Sequence, residues 1–335
     1  MPRGDGSGRT IGWWASSALP GAIGMLHLHG DVESTFEGLS ARIPPVGGTR
    51  LVDLEGIDEA VLARTGTESC LVMPHGGPRI RRLVTGLMEA NGVQLVDAST
   101  VDAQTTWPEA LDRVEATMLQ ALSMTESPRA IPLLLAQPRR HRSDGARPER
   151  GSPRQRTLDR LLVPPVVALA GVPNVGKSTL INRLAGRDVA ITADLAGTTR
   201  DAVVARLVLD GLACEVVDLP GRREEGDEIE RESIRLSERF IEEADLLVLV
   251  TDERDLNPEG LGRKPDLRVS NKADLRRGDP GGPGLGMSAM LGEGIEEFRI
   301  AVRRMLVPDE ELDSEEPWLM QPARGGVPVQ SPTME

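Results

Sequence analysis

The sequence predicts an α/β protein in which a P-loop nucleotide domain, a mostly parallel sheet with flanking helices, follows a smaller α/β domain and a reduced helical segment. Two observations predict this class. The apolar run VVALA is followed by the Gly-rich loop GVPNVGKS and by the helix-like STLINRLAG, which makes a strand, loop and helix unit. Upstream, short apolar runs such as TRLVDL and SCLVM alternate with Gly and Pro.

Length and composition limit the classes of protein. A chain of 335 residues with 39% hydrophobic residues can build a core in each of two domains. The net charge of -13 argues against a surface that coats nucleic acid indiscriminately. The two cysteines, Cys70 and Cys214, follow no metal or redox spacing, which favours reduced thiols in the cytosol. No signal peptide or membrane-spanning run is recognisable, so we expect a cytoplasmic protein without a membrane contact.

The first domain is predicted to span residues 1–104. Its strands are expected in GAIGMLHL, TRLVDL and SCLVM, and residues 78–90 have helical periodicity. A short helical segment is predicted at 105–136. There Leu111, Val114, Met118 and Leu122 repeat at spacings of three and four from a helix starting at Pro108, and residues 131–135 favour a further helix.

Two polar segments flank the second domain, which is predicted at 161–307. Residues 137–160 contain eight arginines and almost no apolar residue, which is typical of a flexible linker. The alternative is an arm that contacts RNA phosphates. Residues 308–335 are acidic and proline-containing and are predicted to be a disordered tail.

The loop from Gly171 to Ser178 predicts a phosphate site. Glycines at 171 and 176 let backbone amides wrap around phosphates, and the following helix adds its positive dipole end. Lys177 is expected to reach the β- and γ-phosphates, and the hydroxyl of Ser178 to bind magnesium. The residues expected to contact the nucleotide here are Gly171, Asn174, Val175, Gly176, Lys177, Ser178 and Thr179.

The base is expected to be guanine. The run Asn271-Lys272-Ala273-Asp274 resembles the base-reading motif of GTPases, in which the aspartate accepts both donors of the guanine edge. A buried acceptor of this kind penalises adenine, which would leave the carboxylate unpaired. Ser288 and Ala289 resemble the loop whose backbone amide contacts the guanine carbonyl. In isolation, NKAD could equally be a lysine-containing turn.

Two further segments are predicted to sense the γ-phosphate. Asp218 ends an apolar strand and opens Asp-Leu-Pro-Gly, where it should hold magnesium through water while the amide of Gly221 faces the phosphate. Between the loop and this strand lies AGTTRD, in which Thr198 contacts the nucleotide and Thr199 is the second hydroxyl candidate for magnesium. A threonine-rich turn is the alternative there.

Together these motifs resemble the MnmE (TrmE) family of tRNA-modification GTPases. The resemblance rests on GVPNVGKSTLINRLAGRDVAIT, AGTTRD and DEIERESI, and on a separate stretch at 65–96 that contains His75-Gly76-Gly77-Pro78 and is similar to the family's folate-binding domain. It implies GTP hydrolysis linked to wobble-uridine modification, a homodimer formed through the N-terminal domain, tRNA and a flavoprotein as partners, and 5-formyltetrahydrofolate as a ligand.

The resemblance also implies catalytic residues. In the family, potassium replaces an arginine finger and is held partly by the asparagine of the P-loop, which is Asn174 here. A glutamate that orients water matches Glu230 by position. The proposed catalytic set is therefore Asn174, Lys177 and Glu230. Asn174 as a simple turn residue and Glu230 as part of a solvated charge run are the alternatives.

Departures from the family pattern indicate a divergent and shortened member. The chain ends in VPVQSPTME instead of the family's Cys-x-Gly-Lys peptide, and most of the helical domain is replaced. VDASTVDAQTTWPEA stands in place of a basic and aromatic segment, which argues against folate binding. The rival hypotheses are therefore a GTP-dependent regulatory switch of the ribosome-assembly type, without tRNA modification, and a degenerate relative that binds nucleotide weakly.

Overall fold

The computed structural model describes residues 10–16, 21–39, 41–143, 148–186, 191–192, 203–219, 238–252, 262–275 and 284–320. The chain divides into two compact units. The first comprises Met1–Glu126 with Leu134–Ser143, and the second Ser127–Leu133 with Asp144–Glu335. Among the helices of the described ranges, none is long and apolar enough to cross a membrane.

The first unit is built on a sheet of six described strands in the order β3-β4-β5-β2-β1-β6. The strands are β1 (Ile11–Trp14), β2 (Leu26–His29), β3 (Thr49–Asp53), β4 (Glu59–Arg64), β5 (Ser69–Met73) and β6 (Gln94–Leu95). Neighbouring strands are antiparallel, except that β1 pairs in parallel with β6. In β2 the leucines are buried and the histidines half-buried, because alternate side chains point to opposite faces.

The helices of the first unit are α1 (Val32–Gly38), α2 (Pro78–Ala90), α3 (Ala103–Thr106) and α4 (Arg113–Met124), and α5 (Ala130–Ser143) starts in the second unit. The predicted bounds of α2 are confirmed, since Pro78 occupies its first turn, where no amide donor is needed. Val84 and Met88 of α2 are fully buried against Leu26 and Leu28 of the sheet.

The predicted start of the helix at Pro108 is wrong. The helix α4 begins at Arg113, because the side chain of Asp112 accepts a hydrogen bond from the amide of Glu115 and caps its first turn. Leu111, which the periodicity placed on the apolar face, precedes the helix and is 81% exposed.

The second unit contains a sheet of seven described strands in the order β13-β12-β11-β7-β10-β9-β8. The strands are β7 (Val166–Ala170), β8 (Ile191–Thr192), β9 (Val203–Leu209), β10 (Leu212–Asp218), β11 (Leu246–Thr251), β12 (Leu267–Ser270) and β13 (Leu285–Gly286). The sheet is parallel from β10 through β7, β11 and β12 to β13. Strand β9 pairs antiparallel with β10 on one side and with β8 on the other. The mostly parallel P-loop domain that the sequence predicts is confirmed.

The helices of this unit are α6 (Pro153–Asp159), α7 (Lys177–Ala185), α8 (described at 238–243), α9 (Ile295–Leu306) and α10 (Asp309–Asp313). Ala168, Ala170, Val217 and Leu247 are buried in a core between the sheet and its helical cover. Because β7, β10, β11 and β12 run in the same direction, the residues that follow them meet at one edge of the sheet.

The Arg/Pro-rich segment 137–160 is not the unstructured linker that its composition predicts. It contains the end of α5 and all of α6. Arg154 forms an ion pair with Glu311 at 3.1 Å, and Arg160 forms one with Asp245 at 3.2 Å. Arginines whose charge is matched by distant carboxylates are less available to RNA phosphates, which weakens the alternative of an RNA-binding arm.

The predicted disordered tail at 308–335 is also corrected, for the part that the structure describes. It contains α10, and Trp318 is 1% exposed. The side chain of Gln155 donates to the carbonyl of Leu319 at 2.8 Å and accepts from its amide at 3.2 Å. The acidic composition of the segment predicted disorder. The burial of Trp318 and the hydrogen bonds between Leu319 and α6 instead hold the segment in place. Residues 321–335 lie outside the described residues.

Candidate nucleotide-binding site

The phosphate loop joins β7 to α7, as the sequence predicts. Gly171 has φ +152° and Gly176 has φ +97°, in the region that favours glycine. A Cβ at Gly171 would collide with the carbonyl of Val250, and one at Gly176 with the side chain of Asn271. Both glycines are therefore required by backbone conformation and by close packing, which explains their spacing.

Lys177 begins α7 and is only 8% exposed. Its Nζ donates to the carbonyl of Gly171 at 3.0 Å and approaches that of Val172 at 3.5 Å. Burial lowers the pKa of Lys177, and the nearby carboxylate of Asp218 acts against that shift. The loop thus holds one cation among backbone carbonyls at the start of a helix, which is an arrangement suited to an anionic ligand.

Ser178, in the first turn of α7, meets Asp218, the last residue of β10. The hydroxyl of Ser178 donates to Oδ2 of Asp218 at 2.6 Å, although forty residues separate them. A hydroxyl and a carboxylate are the hard oxygen donors that magnesium prefers, so these residues fit the predicted ion. The position of Asp218 at the end of β10 brings it to the same edge as the loop.

Asn271 ties the base-reading segment to the phosphate loop. Its Nδ2 donates to the carbonyl of Val175 at 2.8 Å, and its Oδ1 accepts from the amide of Ala289 at 2.9 Å. The residue is 2% exposed, and Ser288 beside Ala289 is fully buried. One side chain therefore fixes the positions of two loops that lie far apart in the sequence.

Lys272 and Asp274 differ in their surroundings: Lys272 is ion-paired, whereas Asp274 is exposed to solvent. Lys272 has φ +61°, and its Nζ lies 2.9 Å from Oδ2 of Asp252 at the end of β11. Asp274 lies in a short 3-10 turn, Ala273–Leu275, and its side chain is exposed. Sequence reasoning missed Asp252. An acidic residue directly after the apolar strand β11, as Asp218 follows β10, was the available signal.

Most of the predicted site residues come together at this edge. They are Gly171, Asn174, Val175, Gly176, Lys177, Ser178, Thr179, Asp218, Asn271, Lys272, Asp274, Ser288 and Ala289. Asn174 is exposed with φ +65°, a conformation that asparagine tolerates in turns. Thr198, Thr199, Gly221 and Glu230 lie outside the described residues.

Comparison with known proteins identifies the second unit. A family model described as "50S ribosome-binding GTPase" matches residues 166–272, which cover the phosphate loop, Asp218 and Asn271-Lys272. This part of the chain is a GTPase domain. The tRNA modification GTPase MnmE of Methylorubrum populi is 46% identical over 138 residues, 41% of this chain and 31% of that protein. The MnmE of Acidiphilium cryptum is 34% identical over 258 residues, 76% of this chain and 54% of that protein.

The chain belongs to the MnmE family. The alignment with the Acidiphilium protein is longer than the GTPase domain, so the relationship extends beyond the residues that the family model matches. The chain spans between about a third and about half of the length of these curated MnmE relatives. Among solved structures, Aquifex aeolicus Era bound to GDP and aluminium fluoride aligns over 42% of this chain and 56% of that chain, with 26% identity and a TM-score of 0.35.

Proposed function

We propose that this MnmE-family chain binds GTP at the edge formed by β7, β10 and β12 and hydrolyses it to GDP and phosphate. The observation that carries the proposal is the position of Asn271, which hydrogen-bonds to the phosphate loop through Val175 and, through Ala289, to residues 288–292, here called the base loop. A phosphate cradle and a guanine-reading segment are thereby held at a fixed separation, which is what a nucleoside triphosphate requires.

Catalysis would rest mainly on stabilisation of the negative charge of the phosphates and on the positioning of the reacting groups. Lys177 is placed to neutralise phosphate oxygens, and the amides that precede it at the start of α7 add positive potential. Ser178 and Asp218 are the residues that would hold magnesium. When bound, the ion would neutralise charge that develops on the phosphate oxygens. Thr198, Thr199, Gly221 and Glu230 complete the proposed set through the family resemblance.

We propose potassium as a second ion, at Asn174. The residue lies in the phosphate loop with its side chain exposed, so an amide oxygen is available beside the phosphates. The test compares GTP turnover in potassium chloride and sodium chloride for the wild type and for Asn174→Ala. Turnover should be at least tenfold faster in potassium for the wild type only, because the cation supplies the charge that an arginine supplies in other GTPases. Equal wild-type rates in both salts would eliminate the ion.

The physiological role that we propose is modification of the wobble uridine of tRNA. The curated relatives carry the name tRNA modification GTPase, which favours this role over a ribosome-assembly type of regulatory switch. A homodimer through the N-terminal unit, tRNA and a flavoprotein are the proposed partners. A direct binding measurement with 5-formyltetrahydrofolate tests whether that unit keeps the ligand that the family resemblance implies.

Nucleoside analysis of tRNA from cells without the gene tests the physiological role. The modified wobble uridine should disappear, and it should return with the wild-type gene and not with Lys177→Ala. Unchanged tRNA in the deleted cells rules out the modification role, and GTP hydrolysis by the purified chain would stand separately.

A further inference from the structure

Arg183 connects the phosphate helix to the base loop. It lies in the last turn of α7, the helix that begins with Lys177. Its Nε donates to the carbonyl of Ala289 at 3.0 Å, and Nη2 donates to the carbonyl of Met290. These bonds join residues more than one hundred positions apart and lie within the second unit. A planar guanidinium that donates hydrogen bonds to two successive carbonyls restrains the orientation of the peptide between them.

Four of the five amides of the base loop, residues 288–292, donate to protein acceptors. The amide of Ser288 donates to Glu293 at 2.9 Å, that of Leu291 to Oγ of Ser288 at 3.2 Å, and that of Gly292 to the carbonyl of Ser288 at 2.7 Å. The amide of Ala289 donates to Asn271. The amide of Met290 remains. Within the part of the chain that the structure describes, it donates to no acceptor, and the residue is 69% exposed.

The geometry of the peptide bond fixes where that amide points. The carbonyl of Ala289 and the N–H of Met290 belong to one planar peptide unit, and no described peptide bond is cis. In a trans unit the C=O and the N–H point in opposite directions. Because Arg183 holds the carbonyl from the side of α7, the N–H of Met290 is directed away from α7.

We propose that Arg183 is a positioning residue for base recognition, and that it aims the amide of Met290 at the carbonyl oxygen of guanine. This inference rests on the proposed binding of GTP. It differs from the sequence-based assignment, which gave the contact to Ser288 or Ala289, because the amides of both residues already have protein acceptors. Adenine carries an amino group at this position, so the amide of Met290 would face a second donor and lose its hydrogen bond.

The test measures the ratio of the affinities for GDP and 6-thio-GDP, which differ at one atom. Sulfur is a weak acceptor, so the ratio reports the hydrogen bond to that atom. In titrations of the full chain, Arg183→Ala should lower the ratio at least threefold and change the affinity for 6-thio-GDP by less than twofold. Arg183→Lys, which keeps one donor group without the fork, should recover part of the ratio.

Matched variants separate positioning from general packing. Arg299 also donates to a carbonyl of α7, that of Leu184 at 3.0 Å, and within the described residues it forms no hydrogen bond with the base loop. Arg299→Ala should therefore leave the ratio at its wild-type value. Met290→Pro removes the amide itself and should lower the ratio as Arg183→Ala does, whereas Met290→Ala keeps the amide and should not.

Two outcomes would overturn the inference. An equal loss of affinity for both nucleotides in Arg183→Ala, with the ratio unchanged, would show that the arginine only stabilises the domain. An unchanged ratio in folded Met290→Pro would assign the contact to another donor. Failure of the wild type to bind either nucleotide is a different result, since it removes the proposed GTP site and the inference with it.

Discussion

The side-chain amide of Asn271 donates to the backbone carbonyl of Val175 at 2.8 Å, in the space that only a glycine at 176 leaves open. The residue that begins the base-reading segment is therefore also a support of the phosphate loop. Substitutions at this contact should affect both ends of a bound nucleotide together.

Asn271→Ala removes the hydrogen bonds to Val175 and Ala289 and leaves their backbone groups without this partner. Two such bonds contribute about 2 to 3 kcal/mol, so the affinity for GDP should fall by about 30-fold or more. A titration with fluorescent GDP measures this. Asn182→Ala, at an exposed position on α7, is the matched control and should bind as the wild type does. Equal affinities of the two variants would contradict the role of Asn271.

Ser178→Ala and Asp218→Asn each remove one of the paired oxygen groups at the proposed magnesium site. Each should raise the magnesium concentration needed for half-maximal GTP turnover by about tenfold or more, because the site loses a ligand or a charge. Magnesium titrations of turnover at saturating GTP provide the measurement. If both variants keep the wild-type magnesium dependence, the ion is held elsewhere.

Asp210→Ala should destabilise the second unit. Asp210 occupies the β9–β10 turn with φ +45°, and its Oδ2 accepts from Nε of Arg303 at 2.7 Å, while Arg129 pairs with its other oxygen. The side chain of Arg303 is only 4% exposed and also pairs with Asp309, so loss of the Asp210 carboxylate leaves this buried charge with one of its two partners. We expect the free energy of unfolding to fall by about 2 kcal/mol.

Urea unfolding measures this loss, followed by tryptophan fluorescence in a background in which Trp13, Trp14 and Trp107 are replaced by Phe, so that the signal comes from Trp318 of the second unit. Arg304→Ala is the control, because Arg304 pairs with Asp309 but is 61% exposed, and it should cost about 0.5 kcal/mol or less. A loss no larger than that of the control would show that Arg303 does not depend on Asp210.

His27 should make the first unit less stable in mild acid. Its ring stacks on Trp13 at a centroid distance of 5.4 Å and meets Trp107 edge-on at 6.3 Å. Burial lowers the pKa of His27 from 6.5 to about 4. As the pH falls through this window, the unfolded chain binds a proton before the folded chain does. The contribution of neutral His27 is therefore complete above pH 6.5 and is lost towards pH 4.

The variant His27→Phe keeps an aromatic ring that cannot titrate. Between pH 7.5 and pH 5 the wild type should lose about 2 kcal/mol more unfolding free energy than the variant. Urea unfolding at the two pH values, followed by tryptophan fluorescence, gives the difference. The same pH dependence in both proteins would show that His27 is not kept neutral by its surroundings.

The strands and the phosphate loop could be predicted because their signals are local. The loop after β7 needs glycine at 171 and 176, and the apolar runs that became β7 and β11 are continuous because both faces of a parallel strand are buried. Composition gave a wrong prediction where the ion-pair partners of the arginines lie far away in the sequence. The arginines of 137–160 suggested a solvated tether, yet Arg154 pairs with Glu311.

A phosphate loop followed by a guanine-type motif in an α/β domain is predictable from the amino-acid sequence, because hydrogen bonding and glycine conformation impose fixed local spacings. The pairs of groups that meet are known from the three-dimensional structure: Ser178 with Asp218, Lys272 with Asp252, and Arg183 with Ala289. They meet because parallel strands bring their carboxyl ends to one edge of the sheet. Contacts across that edge depend on strand order and register, which no local spacing encodes.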